Sequence, residues 1–363
     1  MVWTDAGAVG MKTFYHHLEA GAQHLTALTP AGKDALWVVS LGAAAGAVVA
    51  VGAVGALRYF VRPPTKERIP ETISPERFAT RAFQTSRGQM FYHEGGSGAG
   101  PTLIFIHNVG VGASAYQWSK VYPAFADNHR VVAVDLLGFG ESERPKAKLT
   151  AHDYAESLAE FVGGVCGDDA QRPVIVARGL GAGFAALMAA LNPELVGQLL
   201  LWMPAGQASV PLWLNLASRV PNLKNYVYRN KLARRAAIRA RFEARGAFVD
   251  PAAVTQEAVD MHAICAQQLQ ADYAIFRLFQ GKMGFDLPAR FPEVTVPTTL
   301  LWPARLAGGA AFAAAERLAA SCPTCKLRVV PEAGPYAPLE SPGSLIEVLG
   351  EELHALPRPL SAG

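Results

Sequence analysis

Cysteine and net charge are both scarce in this chain of 363 residues. Four cysteines are too few for the disulfide framework of a small secreted protein, and a reducing compartment is favoured. The formal net charge of +3 provides no global basic field of the kind that attracts nucleic acid. The length allows one large α/β domain with appendages or two smaller domains, and length alone does not choose between them.

Charge is absent altogether from residues 35–57, an apolar segment long enough to cross the roughly 30 Å hydrocarbon core of a bilayer as a helix. A cleaved signal peptide would begin nearer the terminus, whereas here residues 1–34 come first. We therefore predict one transmembrane helix; the alternatives are an unusual leader or a buried core helix. More Lys and Arg follow the segment closely than precede it, which predicts a single-pass protein with its large C-terminal domain on the cytoplasmic or equivalent side.

Small residues repeat at every fourth position of this apolar segment. Gly42 and Gly46 form a G-x-x-x-G pair that Ala50 continues. Such spacing lets a second helix backbone approach closely within a membrane. The pattern predicts contact with other membrane proteins, and its alternative is chance occurrence in a segment rich in alanine and glycine.

From about residue 80, short apolar β-like runs alternate with helical stretches, which is typical of a mostly parallel sheet covered by helices on both faces. The predicted strands are residues 102–107, 130–135, 173–177, 198–203, 298–302 and 326–331. The interval between the fourth and fifth strands is too long for a simple crossover and predicts a helical cap. The predicted boundaries are 1–34 for a juxtamembrane segment, 35–57 for the transmembrane helix, 58–77 for a linker, 78–206 with 286–357 for the core and 207–285 for the cap.

A specific motif follows the first two predicted strands. The first strand ends at His107 and Asn108, and the second ends in D-x-x-G-x-G-x-S at Asp135, Gly138, Gly140 and Ser142. This arrangement resembles the α/β-hydrolase family over about residues 78–355, with a cap like those of esterase and dehalogenase members. The resemblance implies the α/β-hydrolase fold. It also implies that His107, Asn108 and Leu180 surround the family's oxyanion pocket.

The catalytic triad of that family has no counterpart at the matching positions. Gly179 stands at the nucleophile's place in the strand-to-helix turn, and no Ser, Thr, Cys, Asp or His occurs from 172 to 206. The turn that ends at Leu306 offers no acid, and Pro335 stands at the place of the catalytic histidine. The resemblance therefore implies the fold without triad hydrolysis. For His107 a structural role in its loop is favoured over a catalytic one.

The cap carries an excess of basic residues between residues 219 and 245, where Glu243 is the single acid. This excess predicts contact with anionic lipid headgroups or with an acidic patch on a partner, and a solvated helix face is the alternative. Nucleic acid is not predicted, because no aromatic stacking surface accompanies the charge. The residues predicted to make the contact are Arg229, Arg234, Arg235, Arg239 and Arg241.

No cofactor and no metal are predicted. The loose G-x-G-x-x-A pattern that begins at Gly181 and Gly183 lacks an acid after the next strand to hold a ribose, so we interpret its small residues as close helix packing. Cys322 and Cys325 have the spacing of a redox pair but precede a late strand, and one pair is not a complete zinc site.

Three hypotheses for function follow. The leading one is a non-catalytic, membrane-anchored structural or accessory subunit of a membrane protein complex. The second keeps the family's pocket as a receptor or carrier site for a small apolar ligand. The third is an enzyme of the family, a hydrolase or a lyase, with an atypical active site that involves His107.

Overall fold

Residues 75–244 and 247–355 are described by a computed structural model, and they contain one eight-stranded sheet in the order β1-β2-β4-β3-β5-β6-β7-β8. The hairpin of β1 (Phe78–Thr85) and β2 (Gly88–Gly95) forms one edge and pairs antiparallel with β4. All other pairs are parallel, which confirms the predicted sheet. The remaining strands are β3 (Leu103–Ile106), β4 (Val131–Val134), β5 (Val174–Arg178), β6 (Gln198–Trp202), β7 (Thr298–Pro303) and β8 (Cys325–Val330).

Alternate residues of the central strands enter two cores, one on each face of the sheet. In β3, Ile104 packs in the core that includes α1 (Ala151–Cys166) and α2 (Gly179–Leu191), whereas Phe105 packs in the other core. This alternation follows from the two-residue period of a strand. Because both faces are covered, every residue of β3 and β4 is buried, which explains their uninterrupted apolar sequences.

The segment between β6 and β7 forms a helical cap. Its helix α5 contacts the core at two points: the Phe242 ring lies 5.4 Å from the Tyr336 ring, and Arg241 donates a hydrogen bond to the Val111 carbonyl at 3.0 Å. The cap helices are α3 (Leu212–Ala217), α4 (Pro221–Val227), α5 (Arg235–Glu243), α6 (Gln256–Ala266) and α7 (Asp272–Phe279).

The helices that follow the cap complete both layers. Leu318 of α9 packs in the same core as α1 and α2, and Leu345 of α11 packs in the opposite core. These elements are α8 (Leu287–Arg290), α9 (Ala310–Ala320), α10 (Ala337–Glu340) and α11 (Pro342–His354).

Within residues 75–244 and 247–355, every helix is too short or too polar to cross a membrane. The predicted transmembrane helix, residues 35–57, lies outside the described residues together with its Gly42, Gly46 and Ala50. The predicted membrane anchor and its contacts stay predictions.

Candidate functional site

The predicted pocket residues meet at the carboxyl ends of the parallel strands, where ligands bind in open α/β sheets. Asn108 follows β3, Gly179 and Leu180 follow β5, and Pro335 lies in the loop after β8. All four line one cavity beneath the cap. Leu306, the residue predicted at the acid's turn, does not line it, and neither does His107, which was predicted to surround the pocket together with Asn108 and Leu180.

The turn between β5 and α2 keeps the backbone of a nucleophile elbow. Gly179 has φ of +58°, a left-handed conformation that glycine adopts without steric cost. A Cβ atom at this position would lie 2.2 Å from Asn108 Oδ1. The Asn108 amide therefore occupies the space that a nucleophilic side chain at position 179 would enter.

The same amide oxygen accepts the hydrogen bonds of two backbone N–H groups. Leu180 N donates to Asn108 Oδ1 at 2.9 Å, and Val109 N donates to it at 2.8 Å. In the nucleophile-elbow arrangement, the N–H after the nucleophile and an N–H from the loop after an earlier strand stabilise the substrate's oxyanion. Here Asn108 supplies the oxygen that fills this position.

His107 holds two loops together through both ring nitrogens. Nδ1 lies 2.8 Å from the Asn108 carbonyl oxygen, which fixes it as the donor, and Nε2 accepts the Leu136 N–H at 3.0 Å. Burial lowers the pKa of His107, and the nearby Asp135 carboxylate opposes that shift. With both nitrogens engaged in this way, His107 carries a structural role in its loop.

The positions predicted for the acid and the base hold backbone acceptors. The Pro335 carbonyl accepts hydrogen bonds from Arg178 Nη2 at 2.9 Å and from Trp202 Nε1 at 3.1 Å. The Leu306 carbonyl accepts a hydrogen bond from Trp302 Nε1 at 3.3 Å. These contacts tie the loops after β7 and β8 to buried side chains and supply no group that could take up or release a proton.

Two adjoining cavities lie between the core and the cap. One, of about 330 Å³, is lined by Arg178, Gly179 and the loop after β6; the other, of about 260 Å³, is lined by Arg241, Phe242 and His262. They share Asn108, Val109 and Tyr336. None of their lining residues is acidic.

The sequence interpretation missed Arg178, Tyr336 and His262 as cavity residues. Arg178 is buried and stacks over the Tyr336 ring, with Cζ 4.4 Å from the ring centre. The sequence does contain a signal for Arg178: it ends an apolar strand, and a cation buried there needs polar partners. His262 gives no such signal: it stands alone on a cap helix, where a lone histidine is uninformative.

His262 is buried and has a hydrogen-bond partner at one nitrogen only. Nδ1 lies 2.8 Å from the Ala258 carbonyl oxygen and donates to it. Nε2 is a buried atom without a hydrogen-bond partner among the described residues. Burial lowers the pKa of His262 to about 3, and the Arg241 and Arg178 charges contribute to the decrease. The ring is therefore neutral at physiological pH and presents an acceptor lone pair at Nε2.

The cap arginines predicted to contact lipid or a partner have different surroundings. Arg235 is paired with Asp260 and Arg239 with Glu243. Arg234 is exposed and donates to the Asn230 side chain, while Arg229 is half-buried. Arg241 is also half-buried, but unlike the others it lines the smaller cavity. A contact of these residues with lipid or a partner stays a prediction.

One group of described residues has the composition of a metal site. His93, Asp135 and Glu141 each present a ligand atom within 4.8 Å of the others. Both carboxylate oxygens of Asp135 already accept backbone hydrogen bonds, from Ala115 at 2.6 Å and from Glu141 at 2.8 Å. These bonds hold the loop after β4, and we assign the group a structural role.

The pair Cys322 and Cys325 is present as free thiols. Cys322 is buried and donates to the Val294 carbonyl at 3.1 Å, and Cys325 begins β8. Burial raises the pKa of Cys325 to about 12, so its reactive thiolate form is disfavoured at physiological pH.

Comparison with known proteins identifies relatives over part of the chain. An uncharacterized protein of Mycobacterium tuberculosis is 34% identical over 110 residues, which are 30% of this chain and 31% of that protein. The 2-hydroxymuconate semialdehyde hydrolase of Pseudomonas sp. strain CF600 is 38% identical over 111 residues, 30% of this chain and 38% of that enzyme. The matches thus span 31% and 38% of the two relatives.

Structural similarity extends further than sequence similarity. A serine hydrolase involved in carbazole degradation superposes with a TM-score of 0.61 over 77% of this chain and 100% of its own, at 20% identity. At that identity the likeness concerns the fold. The model of the Alpha/beta hydrolase family matches residues 103–348, which include the elbow, the cap and the loop after β8. On this match, the chain belongs to the α/β hydrolase family.

Proposed function

We propose that this family member does not hydrolyse substrates through a catalytic triad and instead holds a small ligand in the cavities between core and cap. The observation that carries the proposal is the position of Asn108 Oδ1. It lies 2.2 Å from where a Cβ at position 179 would be and accepts the N–H groups of Val109 and Leu180. A substrate oxyanion would have to displace this oxygen before it could bind the same two donors.

The residues at the other triad positions support the same proposal. Pro335 and the turn at Leu306 provide neither a carboxylate nor an imidazole, and both ring nitrogens of His107 are hydrogen-bonded to backbone groups. When nucleophile, acid and base are all missing, no relay remains that a small rearrangement could restore. The larger cavity, of about 330 Å³, lies at the lower end of the size range of small-molecule sites, and the smaller one adjoins it.

The activities named for its relatives favour a second candidate, an enzyme of the family with an atypical active site. One relative is a 2-hydroxymuconate semialdehyde hydrolase, and a haloalkane dehalogenase of Mesorhizobium japonicum is 32% identical over 30% of this chain. Such an enzyme would need a base in the cavity. His262 Nε2 is the imidazole nitrogen best suited to that task, because both nitrogens of His107 are engaged.

The test combines activity with ligand recovery, on the full-length chain purified in a non-ionic detergent. Turnover of p-nitrophenyl butyrate and labelling by a serine-directed fluorophosphonate are measured first. We expect neither above the background of a heat-denatured sample, and we expect native mass spectrometry to detect a retained small molecule. Turnover that is abolished by His262→Asn would sink the proposal and establish the atypical enzyme.

The outer surface of the cap favours a further role at the membrane. Three apolar side chains of α3 project into solvent: Leu212 is 72% exposed, Trp213 55% and Leu216 56%. The exposed Arg219 follows them, and no Asp or Glu occurs between Glu194 and Glu243. Apolar and aromatic side chains beside unopposed cations are typical of surfaces that rest on anionic lipid. We propose that α3 rests on the surface of the bilayer.

This membrane contact is measurable through Trp213. The full-length chain is reconstituted into phosphatidylcholine vesicles with and without phosphatidylglycerol, each containing brominated lipid, which quenches nearby tryptophan. We expect stronger quenching with the anionic lipid, and a smaller difference in Trp213→Phe. If the natural protein and Trp213→Phe show the same difference in quenching between the two kinds of vesicle, the contact of α3 with lipid is contradicted. Stoichiometric co-purification of a membrane protein that shields Trp213 would support the accessory-subunit hypothesis in its place.

A further inference from the structure

The cavities between core and cap contain positive charge without negative charge. Each is lined by one arginine, Arg178 in the larger and Arg241 in the smaller, and neither has an acidic lining residue. The two cavities share Tyr336 as part of their walls. The two arginines therefore line adjoining cavities.

Neutral groups alone surround the Arg178 guanidinium. Nη1 donates to Gln117 Oε1 at 3.4 Å, Nη2 donates to the Pro335 carbonyl, and Cζ lies over the Tyr336 ring. No carboxylate oxygen of the described residues forms an ion pair with it. Burial lowers the pKa of Arg178, because a charged guanidinium is less stable away from water than in it.

Arg241 has the same kind of surroundings on the cap side. Nη2 donates to the Val111 carbonyl at 3.0 Å, and Cζ lies 5.9 Å from the centre of the Phe242 ring. Within the described part of the chain it, too, forms no ion pair. Burial lowers its pKa as well. The contrast with Arg235 and Arg239 of the same helix is informative, because each of those is paired with a carboxylate at the surface.

A desolvated cation without a counter-ion is costly, because carbonyl dipoles and ring faces replace only part of its hydration. Two such cations that line adjoining cavities also repel each other. An anion bound between them would offset both costs and would gain charge-assisted hydrogen bonds in a region of low dielectric.

We propose that the cavity selects an organic anion, a small monocarboxylate whose charged end lies at Arg241 and Arg178. This inference rests on the proposed ligand-holding function and names the chemical class of the ligand. The remaining wall is apolar and partly aromatic and includes Leu214, Phe242, Phe279 and Tyr336. The body of the ligand is therefore apolar, and an aryl-substituted short-chain acid matches the charge of the arginines and the apolar, partly aromatic lining.

Phenylacetate and phenylacetamide separate charge from shape, because they differ in the carboxylate alone. Their dissociation constants for the full-length chain are measured by isothermal titration calorimetry in a non-ionic detergent. We expect phenylacetate to bind about tenfold or more tightly than phenylacetamide, and we expect its affinity alone to fall with added salt.

Arg241→Gln tests the assignment to this cavity, and Arg234→Gln is its matched control on the exposed side of the cap. Arg241→Gln is expected to weaken phenylacetate about tenfold and to leave phenylacetamide unchanged. Arg234→Gln is expected to change neither. Arg178→Gln should repeat the effect of Arg241→Gln, and because Arg178 is buried its thermal unfolding midpoint is recorded alongside.

An independent readout comes from His262, whose pKa the Arg241 and Arg178 charges help to lower. A carboxylate at the arginines offsets that effect. NMR at neutral pH, where phenylacetate is ionised, should therefore show a larger shift of the His262 ring resonances with phenylacetate than with phenylacetamide.

The possible outcomes separate the two proposals. Equal affinity of the two probes overturns the preference for an anion and leaves the ligand cavity standing. Phenylacetate binding that survives Arg241→Gln and Arg178→Gln places the anion elsewhere and overturns the assignment, and so does the absence of binding by either probe. Ester turnover in the activity assay would contradict the non-catalytic function. The preference for an anion would then still be decided by the relative affinities of phenylacetate and phenylacetamide.

Discussion

A serine placed at position 179 meets two obstacles in this protein. Its backbone must adopt the φ of +58°, and its Cβ must enter a space 2.2 Å from Asn108 Oδ1. Left-handed strain and a core clash each cost of order 1–3 kcal/mol. We expect Gly179→Ser to lower the free energy of unfolding by roughly 2–4 kcal/mol, measured by urea denaturation followed through tryptophan fluorescence.

Removal of the obstructing amide distinguishes the two obstacles. In an Asn108→Gly background the clash is absent and only the strain at position 179 remains. We therefore expect Gly179→Ser to cost less there, with a coupling of about 1–3 kcal/mol between the two substitutions. Simple additivity of the two single effects would refute the idea that Asn108 fills the nucleophile's space.

Single residues were predictable from sequence where a motif fixed their position. The spacing after β5 places Gly179 at the turn, and the loop after β8 places Pro335. The role of Asn108 was not predictable, because its side-chain direction depends on where tertiary packing brings the Leu180 amide. The stacking of Arg178 on Tyr336 was hidden for the same reason: it joins residues that are far apart in the sequence.

At the scale of elements, α2 lies so close to the loop after β6 that glycine is required inside a helix. A Cβ at Gly183 would lie 2.2 Å from the Ala205 carbonyl oxygen, whereas a Cβ at Gly350 of α11 would meet nothing within 4 Å. Alanine is favoured over glycine by about 1 kcal/mol in helix interiors. We expect Gly183→Ala to destabilise by roughly 1–3 kcal/mol and Gly350→Ala to stabilise by up to about 1 kcal/mol.

Thermal unfolding of the two alanine variants provides the measurement. Opposite shifts of the midpoint support close packing as the reason for the glycines of α2. A rise for both variants would mean that α2 has room to move away from the Ala205 loop.

Most of the strands could be predicted from their apolar sequences. The central parallel strands are largely apolar and buried, and each predicted strand, including the more polar edge strand β8, has a counterpart in the sheet. The hairpin of β1 and β2 was missed, since β1 exposes residues on both faces and so has no apolar alternation. The cap sequence predicted that helices are present but not where each begins and ends. The breaks at Pro211 and Pro221 depend on how the short helices pack.

For the whole molecule, the half-buried Glu141 and the buried His262 make stability depend on pH in opposite directions. Burial, reinforced by the Asp135 charge, raises the pKa of Glu141 to about 7 from an ordinary value of 4.5. Between these values the unfolded chain has released the proton that the folded protein retains, so stability falls as pH rises. We expect the stability of Glu141→Gln, relative to the natural protein, to increase between pH 4.5 and pH 7 in chemical denaturation. A constant difference would mean that Glu141 ionises normally in the folded protein.

His262 makes stability depend on pH in the opposite direction. Burial lowers its pKa to about 3 from 6.5, so below pH 6.5 the unfolded chain binds a proton that the folded protein excludes, and stability falls as pH falls. His262→Asn removes the titration, and the asparagine amide can still donate to the Ala258 carbonyl. We expect the natural protein to lose a few kcal/mol relative to this variant between pH 6.5 and pH 4, measured by the same denaturation series. Because the arginines of the cavity contribute to the shift, saturating phenylacetate should reduce this loss, whereas phenylacetamide should leave it unchanged. A loss that neither probe alters, together with measurable binding of phenylacetate, would place the anion away from His262.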